Sequence, residues 1–157
     1  MTQPIRKETK VRLEVGMWLV FNIINKVVLQ DHREYFILED PNGLRHFMDA
    51  GLYSGYSLNI GKSLYCKVDH INCTGRIFLE PEHPHYMIGK SYYFPIRSLV
   101  EKEDKILVIL EDCFKNFIEI EVSKEEFQRL QKENSLNCFI RNLKKGVPEI
   151  EYSINNS

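Results

Sequence analysis

The sequence carries no excess of charge of either sign, with 21 Lys and Arg against 22 Asp and Glu over 157 residues. Affinity for nucleic acid comes largely from neutralised phosphates, so a broadly basic nucleic-acid binder is excluded. Neither half is a basic module: residues 11–85 hold 7 basic and 9 acidic side chains with all five histidines, and residues 86–157 hold 11 and 12. There is no apolar signal region and no transmembrane run, so no membrane partner is expected. The four cysteines, Cys66, Cys73, Cys113 and Cys138, show no close pairing pattern, which points to a reduced, cytoplasmic protein. Catalytic signatures are missing as well: there is no nucleophile elbow, phosphate loop, zinc-protease helix or kinase signature. No acidic pair is forced together by spacing. The expectation is a non-enzymatic protein without a cofactor. The chain reads equally well as one piece of a longer protein.

What the sequence does contain is an internal repeat. Gly16-Met17-Trp18-Leu19-Val20-Phe21-Asn22-Ile23 reads onto Gly89-Lys90-Ser91-Tyr92-Tyr93-Phe94-Pro95-Ile96, a shift of 89 − 16 = 73. Phe36-Ile37-Leu38-Glu39-Asp40 reads onto Val108-Ile109-Leu110-Glu111-Asp112 at 72, as Ser63-Leu64-Tyr65-Cys66 does onto Ser135-Leu136-Asn137-Cys138. Gly75 meets Gly146 at 71. A period of roughly 70 residues is too long for a solenoid repeat and suits a small domain. Domains are therefore expected at residues 13–82 and 87–153, joined by a linker at 83–86, with flexible tails at 1–12 and 154–157. The linker, His83-Pro84-His85-Tyr86, reads as a stiff joint because Pro restricts itself and the residue before it.

Dense β-branched and aromatic residues without a helical period place the first strand within Leu13 to Leu29. Strands follow at Tyr35 to Asp40 and Leu44 to Asp49 around the Pro41-Asn42-Gly43 turn, then at Ser63 to Ile71 and Arg76 to Glu80. Ala50 to Asn59 reads as a loop or a poorly formed helix. In the second copy the same place holds Ser123-Lys124-Glu125-Glu126, a capping box, with Phe127 and Leu130 at helical spacing. Five strands with a helix between the third and fourth is the order of the OB-fold barrel. The fold class expected is all-β with one short helix, built as two tandem five-stranded OB-type β-barrels.

The first copy also resembles a known family, the S-one-type OB fold, the RNA-binding module named after the largest small-subunit ribosomal protein. Val15-Gly16, Gly43-Leu44-Arg45-His46-Phe47, Ile60-Gly61 and Gly75-Arg76-Ile77-Phe78-Leu79 carry the resemblance, over about residues 13 to 82. It implies that RNA lies across strands two and three, touched by His46 and, where the fifth strand opens, by Arg76. The strand-two aromatic would be Tyr35, since alternation that buries Phe36 and Leu38 sends Tyr35 outward. Bases stack on flat side chains at ~1 to 3 kcal/mol each, while Arg takes a phosphate or base edge. Tyr53 and Tyr56, in the loose loop, are further candidates for holding a nucleic acid or a partner. Two features depart from the family pattern: the second-strand region lacks its Gly-aromatic pair, and Asn72 stands where an acidic residue is common.

Copy two departs further. The position of His46 is taken by Phe117 or Ile118, and Val147 and Pro148 follow where Arg76 stood. If Ile118, Ile120 and Val122 face the core, Phe117, Glu119 and Glu121 share the outer face and would repel phosphate. Copy two thus reads as a degenerate copy kept for packing or for a protein partner. Cys66, His70 and Cys73 invite a zinc site, but residues four apart in a strand lie ~13 Å apart, outside one ligand sphere. Trp18 reads as packing or as a stacking platform, and Lys144-Lys145-Gly146 as a solvated basic turn. The expected function is weak binding of single-stranded nucleic acid, RNA before DNA, by the first barrel. A protein-interaction module that has lost its nucleic acid is the rival.

Overall fold

The computed structural model describes residues 10–152. Most of both expected tails, 1–12 and 154–157, therefore lies outside the described residues. Val11 is held by a reciprocal pair of hydrogen bonds with Asn42, its N–H donating to Oδ1 at 2.8 Å and its carbonyl accepting from Nδ2 at 2.5 Å. The chain divides between Glu82 and His83 into two compact units. His83 and Tyr86 are buried.

The first unit is one antiparallel sheet of β1 (Trp18–Val28), β2 (Glu34–Glu39), β3 (Arg45–Asp49), β4 (Ser63–Ile71) and β5 (Ile77–Pro81), in the order β3-β2-β1-β4-β5. Four successive antiparallel pairings make β3 and β5 run the same way. They approach one another and nearly close the sheet into a barrel. Alternation decides what fills it: Phe21, Ile23, Phe36, Leu38, Met48, Leu64, Cys66 and Val68 point inward and are buried. Between β3 and β4 the Gly51–Tyr56 segment forms a 3-10 helix.

The second unit repeats the plan with β6 (Ser91–Lys102), β7 (Lys105–Glu111), β8 (Phe117–Val122), α1 (Lys124–Leu130), β9 (Ser135–Lys144) and β10 (Val147–Glu151), in the order β10-β9-β6-β7-β8. Its core gathers Phe94, Val108, Leu110, Leu136, Cys138 and Ile140. Ser123 caps α1, its Oγ accepting from the Glu126 N–H at 3.2 Å. The architecture is thus two tandem five-stranded OB-type sheets. No helix among the described residues is long and apolar enough to cross a membrane.

The repeat extends to backbone irregularities. Bulges fall at Ile24 and Arg97 on the long first strands, and at Asp69 and Arg141 on the fourth. Gly16 and Gly89 adopt φ of 91° and 90°, a region that favours glycine, and their N–H groups reach the carbonyls of Val68 and Ile140.

Candidate nucleic-acid interface

On the first barrel, pairing register assigns each outward side chain. Across β2 and β3, Ile37 stands opposite Phe47, Tyr35 opposite Asp49, and Glu39 opposite Arg45, all on the outer face. Phe47 is exposed and Arg45 projects beside it. Because β3 and β5 run parallel, the start of β5 lies at the same end of the barrel as the start of β3. There the Arg76 guanidinium sits over the Phe78 ring at 4.9 Å from its centroid. The His70 ring lies flat on Phe78, with centroids 4.2 Å apart and planes 5° apart. Half of the His70 side chain faces solvent, and Asp69 stands 3.3 Å from its Nδ1. This is a layered cation, phenyl and imidazole stack with an outer face a base could cover.

The residues expected from the sequence fare differently. Arg76 is exposed, as the resemblance implies. Tyr35 does lie on the outer face, but it is buried: its ring meets Phe47 edge-on at 6.3 Å and its hydroxyl donates to Asp31 Oδ2 at 2.5 Å. That hydrogen bond raises the Tyr35 pKa and lowers that of Asp31, holding the phenol neutral. His46 is corrected outright. It shares the inward face with Met48, packs edge-on against Phe21 at 6.1 Å, and its Nε2 meets Asp40 Oδ2 at 2.8 Å. Alternation forces this, because exposing Phe47 and burying Met48 turns His46 inside.

Tyr53 and Tyr56 are likewise corrected from loop to interior. Both are buried in the 3-10 helix, 5.2 Å apart, and Tyr53 donates its hydroxyl to buried Glu80 at 2.8 Å. Burial above all, with the Glu80 charge beside it, pushes the Tyr53 pKa up. The five residues therefore do not converge on one surface. Phe47, Phe78 and His70 were missed. Phe78 stands two residues after Arg76, where β5 begins.

Elsewhere on the outer face Trp18 stacks on Tyr65 at 5.2 Å between centroids, next to exposed Val20. A shallow depression lined by Arg33, Glu34, Asp49, Gly51 and Leu52 adjoins β3, with Arg33 and Asp49 paired at 3.5 Å. Among the described residues no three His, Cys, Asp or Glu side chains are placed to share a metal ion.

The second unit has the same positions filled otherwise. By register, Phe117 replaces Arg45, Ile118 replaces His46 and Glu119 replaces Phe47. On the fourth and fifth strands Asn142 replaces His70, Val147 replaces Arg76 and Glu149 replaces Phe78. Ile118 and Val122 are buried while Phe117, Glu119 and Glu121 face out. The two cations and three rings of the first face are all replaced, Phe47 and Phe78 by carboxylates, while Phe117 brings one exposed ring at the position of Arg45. No family model matches this chain, and no curated protein matches it in sequence.

Proposed function

We infer that the first barrel binds single-stranded nucleic acid, RNA in preference to DNA, without catalysing a reaction on it. The site runs from β3 across the seam to β5 and β4. Phe47 and the outer face of His70 serve as base platforms, Phe78 backs His70, and Arg45 and Arg76 take phosphates. The observation that carries this reading is the stack of exposed Arg76 and His70 on half-buried Phe78, an arrangement a core does not need. Asp49, Asp69 and Glu39 lie among these groups, so few phosphates are neutralised and binding is weak. The second unit, with Glu119 and Glu149 at the platform positions, does not take part. Four free cysteines, two of them exposed, are in keeping with a reducing, cytoplasmic setting.

The test is fluorescence anisotropy of the full chain with labelled RNA and DNA homopolymers at low salt. Saturable binding to a single strand, weakened by Phe47→Ala and by His70→Ala, is expected. No binding to any single strand at low salt would overturn the reading.

A further inference from the structure

The second unit differs from the first at its seam. Lys145 and Gly146, with φ of 52° and 77°, make a two-residue turn between β9 and β10. The pair flanking such a turn, Lys144 and Val147, exchanges backbone hydrogen bonds. The next pair, Leu143 and Pro148, therefore points its backbone polar groups away from one another. The nitrogen at position 148 faces the open side of β10, and as proline it has no hydrogen to donate there. In the first barrel the corresponding residue is Ile77, which keeps its N–H, and there β3 does approach β5. Among the described residues β8 ends its sheet with no strand hydrogen-bonded on its far side.

The free edge of β8 has a definite chemistry. The Asp112 N–H donates to the Asn116 carbonyl at 3.0 Å, which fixes the phase of the β7 and β8 ladder. Counting from there through an unbroken register, Phe117, Glu119 and Glu121 direct their backbone N–H and C=O groups away from β7. The same three residues carry the outward side chains, with Phe117 two-thirds exposed. Behind them on the outer face stand the half-buried Leu107 and Ile109, opposite Glu121 and Glu119. Edges that natural sheets leave open are commonly protected by charge, proline or a bulge; β8 has no proline and no bulge, and its charge is of one sign, Glu119 and Glu121.

We propose that β8 is a docking edge for an extended protein segment bearing Lys or Arg at alternate positions. The segment adds as a further strand, exchanging main-chain hydrogen bonds with Phe117, Glu119 and Glu121. Its basic side chains stand opposite Glu119 and Glu121, and a third lays its methylene stem over Phe117. The carboxylates at this face exclude a nucleic acid and select the sign of the partner's charge. This surface is independent of the one on the first barrel.

The experiment is amide hydrogen exchange of the full chain followed by NMR, with short synthetic peptides as probes. A peptide alternating lysine and valine is expected to slow exchange at Phe117, Glu119 and Glu121 by about tenfold or more. The same peptide N-methylated at alternate amides should give no protection. Combining Glu119→Lys with Glu121→Lys should transfer protection to a peptide alternating glutamate and valine. Should that variant misfold, Glu119→Gln with Glu121→Gln is expected to weaken the lysine peptide while leaving the fold intact. The proposal is overturned if these amides already exchange slowly in the free chain or if the lysine peptide gives no protection at low salt. Equal protection by the N-methylated peptide, or protection by single-stranded RNA, would overturn it too.

Discussion

Asp40 and Asp112 build the same turn twice, 112 − 40 = 72 residues apart, down to the role of each carboxylate oxygen. Asp40 Oδ1 accepts from the N–H groups of Asn42 and Leu44 at 2.8 and 3.0 Å, and Asp112 Oδ1 from those of Phe114 and Asn116 at 2.9 and 2.8 Å. The second oxygen takes a side chain, His46 Nε2 in one copy and Asn116 Nδ2 in the other. Both carboxylates are buried. Each replaces with side-chain oxygen the hydrogen-bond partners that a turn cannot supply to itself.

Asp40→Ala and Asp112→Ala should therefore each destabilise their own unit by about 2 kcal/mol or more, since three donors lose a charged acceptor. Chemical denaturation followed by NMR signals from each unit measures this. A loss below about 0.5 kcal/mol would show that water satisfies the turns equally well.

On nucleic acid, Arg76→Ala should weaken single-strand binding and lower its salt dependence by about one contact. Phe78→Ala should weaken it through loss of the backing for His70. Tyr35→Ala, Tyr53→Phe and His46→Ala should act first on stability, because these side chains are buried and hydrogen-bonded. Phe117→Ala should leave nucleic-acid binding unchanged. Anisotropy titrations at two salt concentrations, paired with thermal melts, separate the two groups.

His83 links the second unit to pH. Its Nδ1 accepts from the N–H groups of His85 and Tyr86, both at 3.0 Å, and its ring tilts against Tyr86 and Phe114. Burial lowers its pKa from 6.5 to about 4, partly opposed by the Asp112 charge. The folded state thus binds the proton less readily than the unfolded chain. Stability from this group is present above pH 6.5 and is lost as pH falls towards about 4, on the order of 3 kcal/mol in full. His83→Asn, whose side-chain oxygen can accept the same two hydrogen bonds, should show a flatter pH dependence of stability over that window. Parallel profiles for the two proteins would refute the assignment.

The cysteines should divide by exposure. Cys66 and Cys138 are buried inside strands of equivalent position, and burial pushes the Cys138 pKa up to about 12 and that of Cys66 higher still. Cys73 and Cys113 are exposed, with the Cys113 pKa raised, chiefly by burial. Alkylation followed by mass spectrometry should modify Cys73 first, then Cys113, with the other two protected until unfolding. Rapid labelling of all four in the native protein would contradict this.

The repeat, the strand order and α1 were legible in the sequence because each rests on local chemistry: apolar alternation, the Asp-led turns and the Ser123 capping box. Strand Ser63–Ile71 coincides with its expected bounds, whereas the first strand starts at Trp18 instead of Leu13. The site was less legible. His46 was assigned by resemblance, and only the exposure of Phe47 reveals which way the strand faces. Tyr35 points as alternation requires, yet Asp31 and Phe47 cover it, and no periodicity records a neighbour from another segment. Tyr53 and Tyr56 sit among glycines and serines, and Glu80, which accepts from the Tyr53 hydroxyl, is 80 − 53 = 27 residues beyond Tyr53.

The recurrence of both bulges also tells where the chain has been edited. Between the paired residues Val28 and Glu34 the first copy has five residues, 29–33, and between the corresponding Glu101 and Ile106 the second has four, 102–105. Between Ile71 and Ile77 stand five, 72–76, against four, 144–147, between Leu143 and Pro148. These two single-residue differences account for the drift of the repeat from 73 to 71, and both fall in hairpin turns. The span from Asp49 to Ser63 matches that from Glu121 to Ser135 residue for residue, although it folds as a 3-10 helix in one and as α1 in the other. Between the two copies length differs only where no ladder fixes it. The β1–β2 and β4–β5 hairpins are accordingly the natural insertion points for a label or a grafted loop.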